Sequence, residues 1–378
     1  MQPTTEWKYP IVDADIHIHE DPHELAEFAE GFARRGLAAH STPERFLDTP
    51  GLSPLTVHDV PFGDNFGQLP HVVRTAKQLR ADMDKLRVDA CILSTGRLVG
   101  GARGPASSLG VAQIFNRYLR HRWLSPADGI YGALMIDNKD PLGSAAEIEA
   151  YADVAGVAAI YLPITGVYPL WGHQDYFPIF AAAQAAGLPV VLHGYTTVYP
   201  TFPFQLEQFN TALAKQVIAR PFAAMANVVD IATTGVFARF PKLKVVVAEC
   251  GISWLPFISW RLDQQYIYLR HEVPWYMDKP STYLCRQLFA TTHRLEHPDD
   301  LGTLAHLIAG IGGEERLMFA SDWPHYDADY PERIENLPIS HEIKRKILGG
   351  NAQEIFKLHN VVKRTATIST EATPDIGL

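Results

Sequence analysis

The sequence predicts a (β/α)8 TIM barrel, an α/β fold, with long loop and helical insertions at the C-terminal face of the strands. Three observations predict it. Eight short apolar runs recur along the chain, helical patterns separate them, and several of the runs end on a histidine or a carboxylate. The runs are continuous rather than alternating, as suits parallel strands buried on both faces. Eight such strands with intervening helices favour a closed barrel, and a doubly wound sheet is the alternative.

Taken in order, the strands are expected near 10–18, 89–95, 130–136, 156–162, 189–194, 244–249, 284–291 and 317–322. Helical periodicity covers VRTAKQLRADMDKLR, YFPIFAAAQAAG and ISHEIKRKILGGNAQEIF. The first two strands are separated by about 70 residues, the fifth and sixth by about 50, and the sixth and seventh by about 35. In a barrel these stretches follow strand C-termini and should wall the active face. One domain is expected over 10–358, with 1–9 and 359–378 as terminal extensions.

Hydrophobic residues at 47% and charged residues at 20% supply a large core. The formal charge of −9 and the lack of a Lys/Arg-rich run exclude a nucleic-acid partner and an anionic membrane surface. No run of about 18 apolar residues spans a bilayer. The polar N-terminus lacks a signal-peptide core, and Cys91, Cys250 and Cys285 show no CxxC spacing. A cytoplasmic location is expected.

The chemistry gathers at strand ends. The first strand closes on Asp15-Ile16-His17-Ile18-His19. Residues two apart on a strand point the same way, so His17 and His19 can share a metal, although two such histidines also occur without one. His193 ends the fifth strand and Asp322 ends the eighth. Alone, His193 reads first as a satisfied core histidine. Together the four donors point to one divalent metal ion, Zn²⁺ first, with Mn²⁺ and Fe²⁺ as alternatives.

Several blocks resemble the amidohydrolase superfamily, in its branch of aminocarboxymuconate-semialdehyde, resorcylate and carboxyvanillate decarboxylases. They are DIHIH at 15–19, LHG at 192–194, FPKLKVVVAECGISWLPF at 240–257, RLMFASDWPH at 316–325 and ILGGNAQEIFKL at 347–358. The resemblance implies His17, His19, His193 and Asp322 as metal ligands. The fourth strand offers no lysine for a carbamate bridge, which favours a mononuclear centre.

One position departs from the branch. Where the sixth strand commonly ends in an acid/base histidine, this chain has Glu249. Glu249 and Asp322 are the catalytic candidates. A carboxylate at 249 could move protons, ligate the metal, orient a ligand, or serve the fold alone. Arg97 is the candidate for a substrate carboxylate, with Tyr195, Trp254 and His325 as further substrate contacts and Trp323 and Tyr326 as possible pocket walls. Asn351 reads as a structural cap.

The expected activity is metal-dependent, non-oxidative decarboxylation of an aromatic or unsaturated carboxylic acid. Metal-dependent hydrolysis of a C–N, C–O or C–C bond is the alternative, and a non-catalytic barrel the second. The expected partner is a small carboxylic acid. A homodimer is expected too, because Trp260, Tyr266, Tyr268, Trp275 and Tyr276 cluster with Arg261 and Arg270 in the 255–300 region.

Overall fold

Eight parallel strands pair in chain order: β1 (Val12–Ile18), β2 (Ala90–Thr95), β3 (Ile130–Met135), β4 (Val157–Pro163), β5 (Val190–His193), β6 (Val245–Ala248), β7 (Leu288–Thr291) and β8 (Leu317–Met318). The computed structural model describes residues 7–39, 73–95, 105–164, 167–194, 211–325, 327–359 and 361–364. The barrel closes between β8 and β1. There Ala14 N donates to Phe319 O, Asp322 N to Asp15 O and His17 N to Trp323 O, at 2.8–3.0 Å.

Helices alternate with the strands, as the apolar runs required. Several start on a side-chain cap. Thr75, Asp140, Thr211 and Asp300 cap the N-termini of Ala76–Lys85, Pro141–Tyr151, Ala212–Thr233 and Leu301–Gly310 by accepting from a backbone N–H. The expected seventh strand is shorter than its apolar run. Residues Pro280–Gln287 form a helix, with Pro280 in its first turn and Leu284 and Gln287 three apart on its buried face, and only Leu288–Thr291 is strand.

The interior layer is built largely of small side chains, Val12, Ala14, Ala90, Ala133, Ala159, Val246, Ala248 and Ala320, with the larger Tyr161, Phe289 and Met318 among them. Ile355 and Phe356, from the end of the last helix among the described residues, pack against it. Two larger clusters fill the space between strands and helices. β1 changes faces on the way. Val12 and Ala14 belong to the interior layer, but Ile16 and Ile18 pack outward against helices. The pairing with β2 shifts register between Asp13 and Ile16. That irregularity inverts the strand's alternation and turns His17 toward the barrel mouth.

Asn351 donates to Glu314 O and Leu317 O, tying the closing helix to β8. Just beyond residue 358, Lys363 and Arg364 reach Asp89, which also accepts from Ile11 N.

Candidate metal centre

Asp15, His17, His193 and Asp322 converge at the mouth of the barrel. All four are buried, and each offers one donor atom within 4.8 Å of the others. His193 Nε2 donates to Asp15 Oδ2 at 2.9 Å. His17 Nδ1 lies 2.8 Å from Thr95 O and 2.9 Å from Ser94 Oγ. A ring nitrogen facing a carbonyl carries its proton, so the neutral ring presents Nε2 to the other donors.

His17 Nε2 lies 3.0 Å from Asp322 Oδ1 and 3.5 Å from Asp15 Oδ1. Neither approach has hydrogen-bond alignment, and both His17 Nε2 and Asp322 Oδ2 are buried without a hydrogen bond among the described residues. Buried polar atoms left this way are costly, and a cation relieves them. Ligands of a tetrahedral ion at about 2.0–2.2 Å lie roughly 3.5 Å apart, close to the spacing present here. The donor set fits a divalent metal.

Without the ion, His17 acts as the cation. Burial alone would lower its pKa, but the carboxylates of Asp15, Asp322 and Glu249 outweigh that and raise it to about 10. Burial opposes ionisation of Asp322 and Asp15 too. The histidines around them nevertheless hold both carboxyls below the usual range.

The backbone helps to aim the carboxylates. Glu249 and Asp322 have φ of 61° and 62°, the left-handed region that non-glycine residues seldom adopt. Such strain at two strand ends is usual where side chains must converge. Asp322 Oδ1 also accepts from His325 Nδ1 at 2.7 Å, and His325 stacks on His17 at 4.7 Å between ring centroids.

Glu249 reaches the centre's edge in an ion pair. Its Oε1 lies 2.7 Å from Arg220 Nη2 and 3.4 Å from Arg294 Nε, while Oε2 is 3.8 Å from His193 Nε2. Arg220, on the helix Ala212–Thr233, is 1% exposed. It passes Gly194, where a Cβ would meet Arg220 Cγ at 3.1 Å and Cys250 Sγ at 3.0 Å. Arg294 also pairs with Asp327. With Glu249 matched by Arg220 and Asp327 by Arg294, Asp15 and Asp322 remain: two carboxylates for one divalent ion.

The sequence-derived set needs two corrections. His19 is buried but lies outside the four-donor group; its ring packs edge-on to His325 at 6.1 Å, and Asp15 stands in its place. The DIHIH pattern contained this alternative, since Asp15 and His17 are also two apart. Trp254 is a core residue rather than a substrate contact: it packs in the outer cluster and its Nε1 donates to Cys250 O. Arg97, Tyr195 and Tyr326 lie outside the described residues. Trp323 is half-buried, and its carbonyl serves the β8–β1 closure. Arg220 and His293 escaped the sequence reading. Arg220 sits in mid-helix with no pattern to mark it, and the His293 signal, a histidine two past an apolar run, was blurred by the misplaced strand.

Comparison with known proteins agrees with this architecture. The family model described as Amidohydrolase matches residues 14–358. A gamma-resorcylate decarboxylase of Polaromonas sp. (strain JS666 / ATCC BAA-500) is 27% identical over 192 residues, which span 49% of this chain and 55% of that enzyme. Another, of Rhizobium sp. (strain MTP-10005), is 23% identical over 84% of this chain and 95% of its own length. Among solved structures, 5-carboxyvanillate decarboxylase from Sphingomonas paucimobilis superposes with a TM-score of 0.68 at 22% identity, covering 92% of this chain and 99% of that one. A dihydroxybenzoic acid decarboxylase from Polaromonas sp. JS666, with bound manganese and 2-nitroresorcinol, gives 0.66 at 18% identity, covering 93% and 97%.

Proposed function

The chain belongs to the amidohydrolase family, and from that membership we propose that it catalyses metal-dependent, non-oxidative decarboxylation of an aromatic or unsaturated carboxylic acid. The observation that carries this reading is the buried group of Asp15, His17, His193 and Asp322 at the mouth of a closed barrel. The decarboxylases that align along most of the chain supply the reaction class.

Those four residues would hold one divalent cation, which supplies Lewis acidity toward the substrate carboxylate. An imidazole replaced by the Asp15 carboxylate makes the set harder than three histidines and one aspartate, and shifts the preference from Zn²⁺ toward Mn²⁺. Asp322 is assigned the proton transfer. His325 holds Oδ1, and Oδ2 would take a proton from water and pass it to the substrate carbon as the C–C bond breaks and CO₂ leaves, one proton being consumed per turnover. Glu249, fixed by Arg220, is a positioning residue for His193 in this reading. Arg97 and Tyr195 remain candidates for contact with the rest of the substrate.

The barrel domain is taken as 10–358. A second copy of the chain would cover the apolar surface of Phe257, Trp260, Ile267 and Tyr268 on the helix Trp254–Leu269, with Trp275 and Met277 beside it. Tyr276, by contrast, is buried with its hydroxyl on Ala232 O. Light scattering that finds a 42.1 kDa particle would overturn the dimer. Among the described residues no helix is long and apolar enough to cross a membrane, and the three cysteines are free. A cytoplasmic setting accords with those free thiols.

The test is CO₂ release from a panel of hydroxybenzoates by protein stripped of metal and reloaded with Mn²⁺ or Zn²⁺. Metal-dependent release is expected. Ester or amide hydrolysis without CO₂ release from any acid would overturn decarboxylation.

A further inference from the structure

Beside the four-donor group, and sharing Asp322 with it, lies a second buried set: Glu249 at the end of β6, His293 just past β7, and Asp322, with donor atoms within 4.8 Å of one another. Its members are engaged differently. Glu249 is taken up by Arg220. His293 is fixed through its backbone and one ring nitrogen: Thr291 Oγ1 donates to His293 O at 3.2 Å, and His293 Nε2 donates to Asp327 O at 3.1 Å. In the neutral ring Nδ1 is therefore a lone pair.

That Nδ1 is buried, makes no hydrogen bond among the described residues, and lies 3.5 Å from Asp322 Oδ2, an acceptor in the same condition. With Asp322 engaged at the four-donor group, the buried His293 lone pair is unfavourable until a proton-bearing or cationic group satisfies it. A second divalent ion could do so. The charge balance goes against it, since the ion pairs of Glu249 and Asp327 leave only two carboxylates, enough for one ion. A hydroxyl group meets the need without added charge.

We propose that His293 is a specificity-determining residue whose Nδ1 accepts a hydrogen bond from a substrate hydroxyl adjacent to the carboxylate on an aromatic ring. The assignment rests on the decarboxylase reading above. Asp322 belongs to both donor groups, so a hydroxyl beside a carboxylate held at the centre comes within reach of His293. A methoxy group in that place offers no proton and leaves the nitrogen unsatisfied.

The test is equilibrium binding of 2-hydroxybenzoate and 2-methoxybenzoate to the Mn²⁺-loaded full chain by calorimetry, with metal content measured in each preparation. The wild type should prefer the hydroxy acid by roughly ten- to a hundredfold, the span expected when a buried acceptor loses its donor. His293→Ala should keep one equivalent of metal and lose most of that preference. If His293→Ala does not fold, an amide pair decides. The Asn oxygen replaces Nδ1 and should keep the preference, whereas Gln reaches the Nε2 position and should lose it. A preference unchanged in His293→Ala, or equal in the Asn and Gln variants, overturns the assignment. A second metal equivalent that disappears with His293 overturns it in favour of a second cation. Failure of the wild type to bind either acid overturns this assignment, while the decarboxylase reading stands or falls separately on CO₂ release from the hydroxybenzoate panel.

Discussion

The guanidinium of Arg220 meets the carboxylate of Glu249 at 2.7 Å, with both side chains 2% exposed. A charge pair removed this far from water is poorly replaced one partner at a time. Arg220→Leu should destabilise the protein by about 3–5 kcal/mol, because it strands a buried carboxylate. The double variant Arg220→Leu, Glu249→Leu should recover much of that loss. Urea denaturation of Arg220→Leu, Glu249→Leu and the double variant checks it, and additive losses in the double variant would contradict the pairing.

Gly194 makes room for that arginine. Gly194→Ala places a methyl group against Arg220, Cys250 and the Glu249 carbonyl, all at 3.0–3.1 Å. Overpacking of this kind costs about 1–3 kcal/mol. A lower melting temperature is expected, and an unchanged one would mean that the arginine shifts freely.

The donor set is tested by metal content after dialysis. Asp15→Asn, His17→Ala, His193→Ala and Asp322→Asn should each lose most of the metal. His19→Ala should retain it, since its ring lies outside the four-donor group. Loss in His19→Ala together with retention in Asp15→Asn would restore the histidine pair expected from the sequence.

Metal uptake should depend on pH in a defined direction. With the centre empty, the carboxylates raise the His17 pKa to about 10, so the ring is protonated at neutral pH. A metal must displace that proton. Apparent affinity should therefore rise by about tenfold per pH unit as the pH climbs toward 10, and flatten above it. Calorimetry in buffers of different ionisation enthalpy should report about one proton released per ion, and no release would contradict the assignment of His17.

Much of this architecture was legible in the sequence because parallel barrel strands are nearly continuous apolar runs, as β5 and β6 show. The seventh was misplaced because Leu284 continues the apolar pattern from inside a helix. His17, His193 and Asp322 were legible because strand ends are where a barrel exposes side chains to its mouth. Asp15 against His19 was not, because the register shift in β1 follows from its pairing with β2 and leaves no local trace. Arg220 and His293 depend on contacts between residues distant in sequence: 29 positions separate Arg220 from Glu249, and His293 and Asp322 are equally far apart.

The β8–β1 closure gives the centre a role in the mechanics of the whole domain. β8 is only two residues long, and the hydrogen bonds that carry the sheet around to β1 include those of Asp15, His17 and Asp322. An ion bound by these residues rivets the seam that closes the cylinder. Its removal should first speed hydrogen exchange at the amides of His17 and Asp322, before those of β4 or β5, so that the loaded protein resists unfolding at the same seam where it handles substrate.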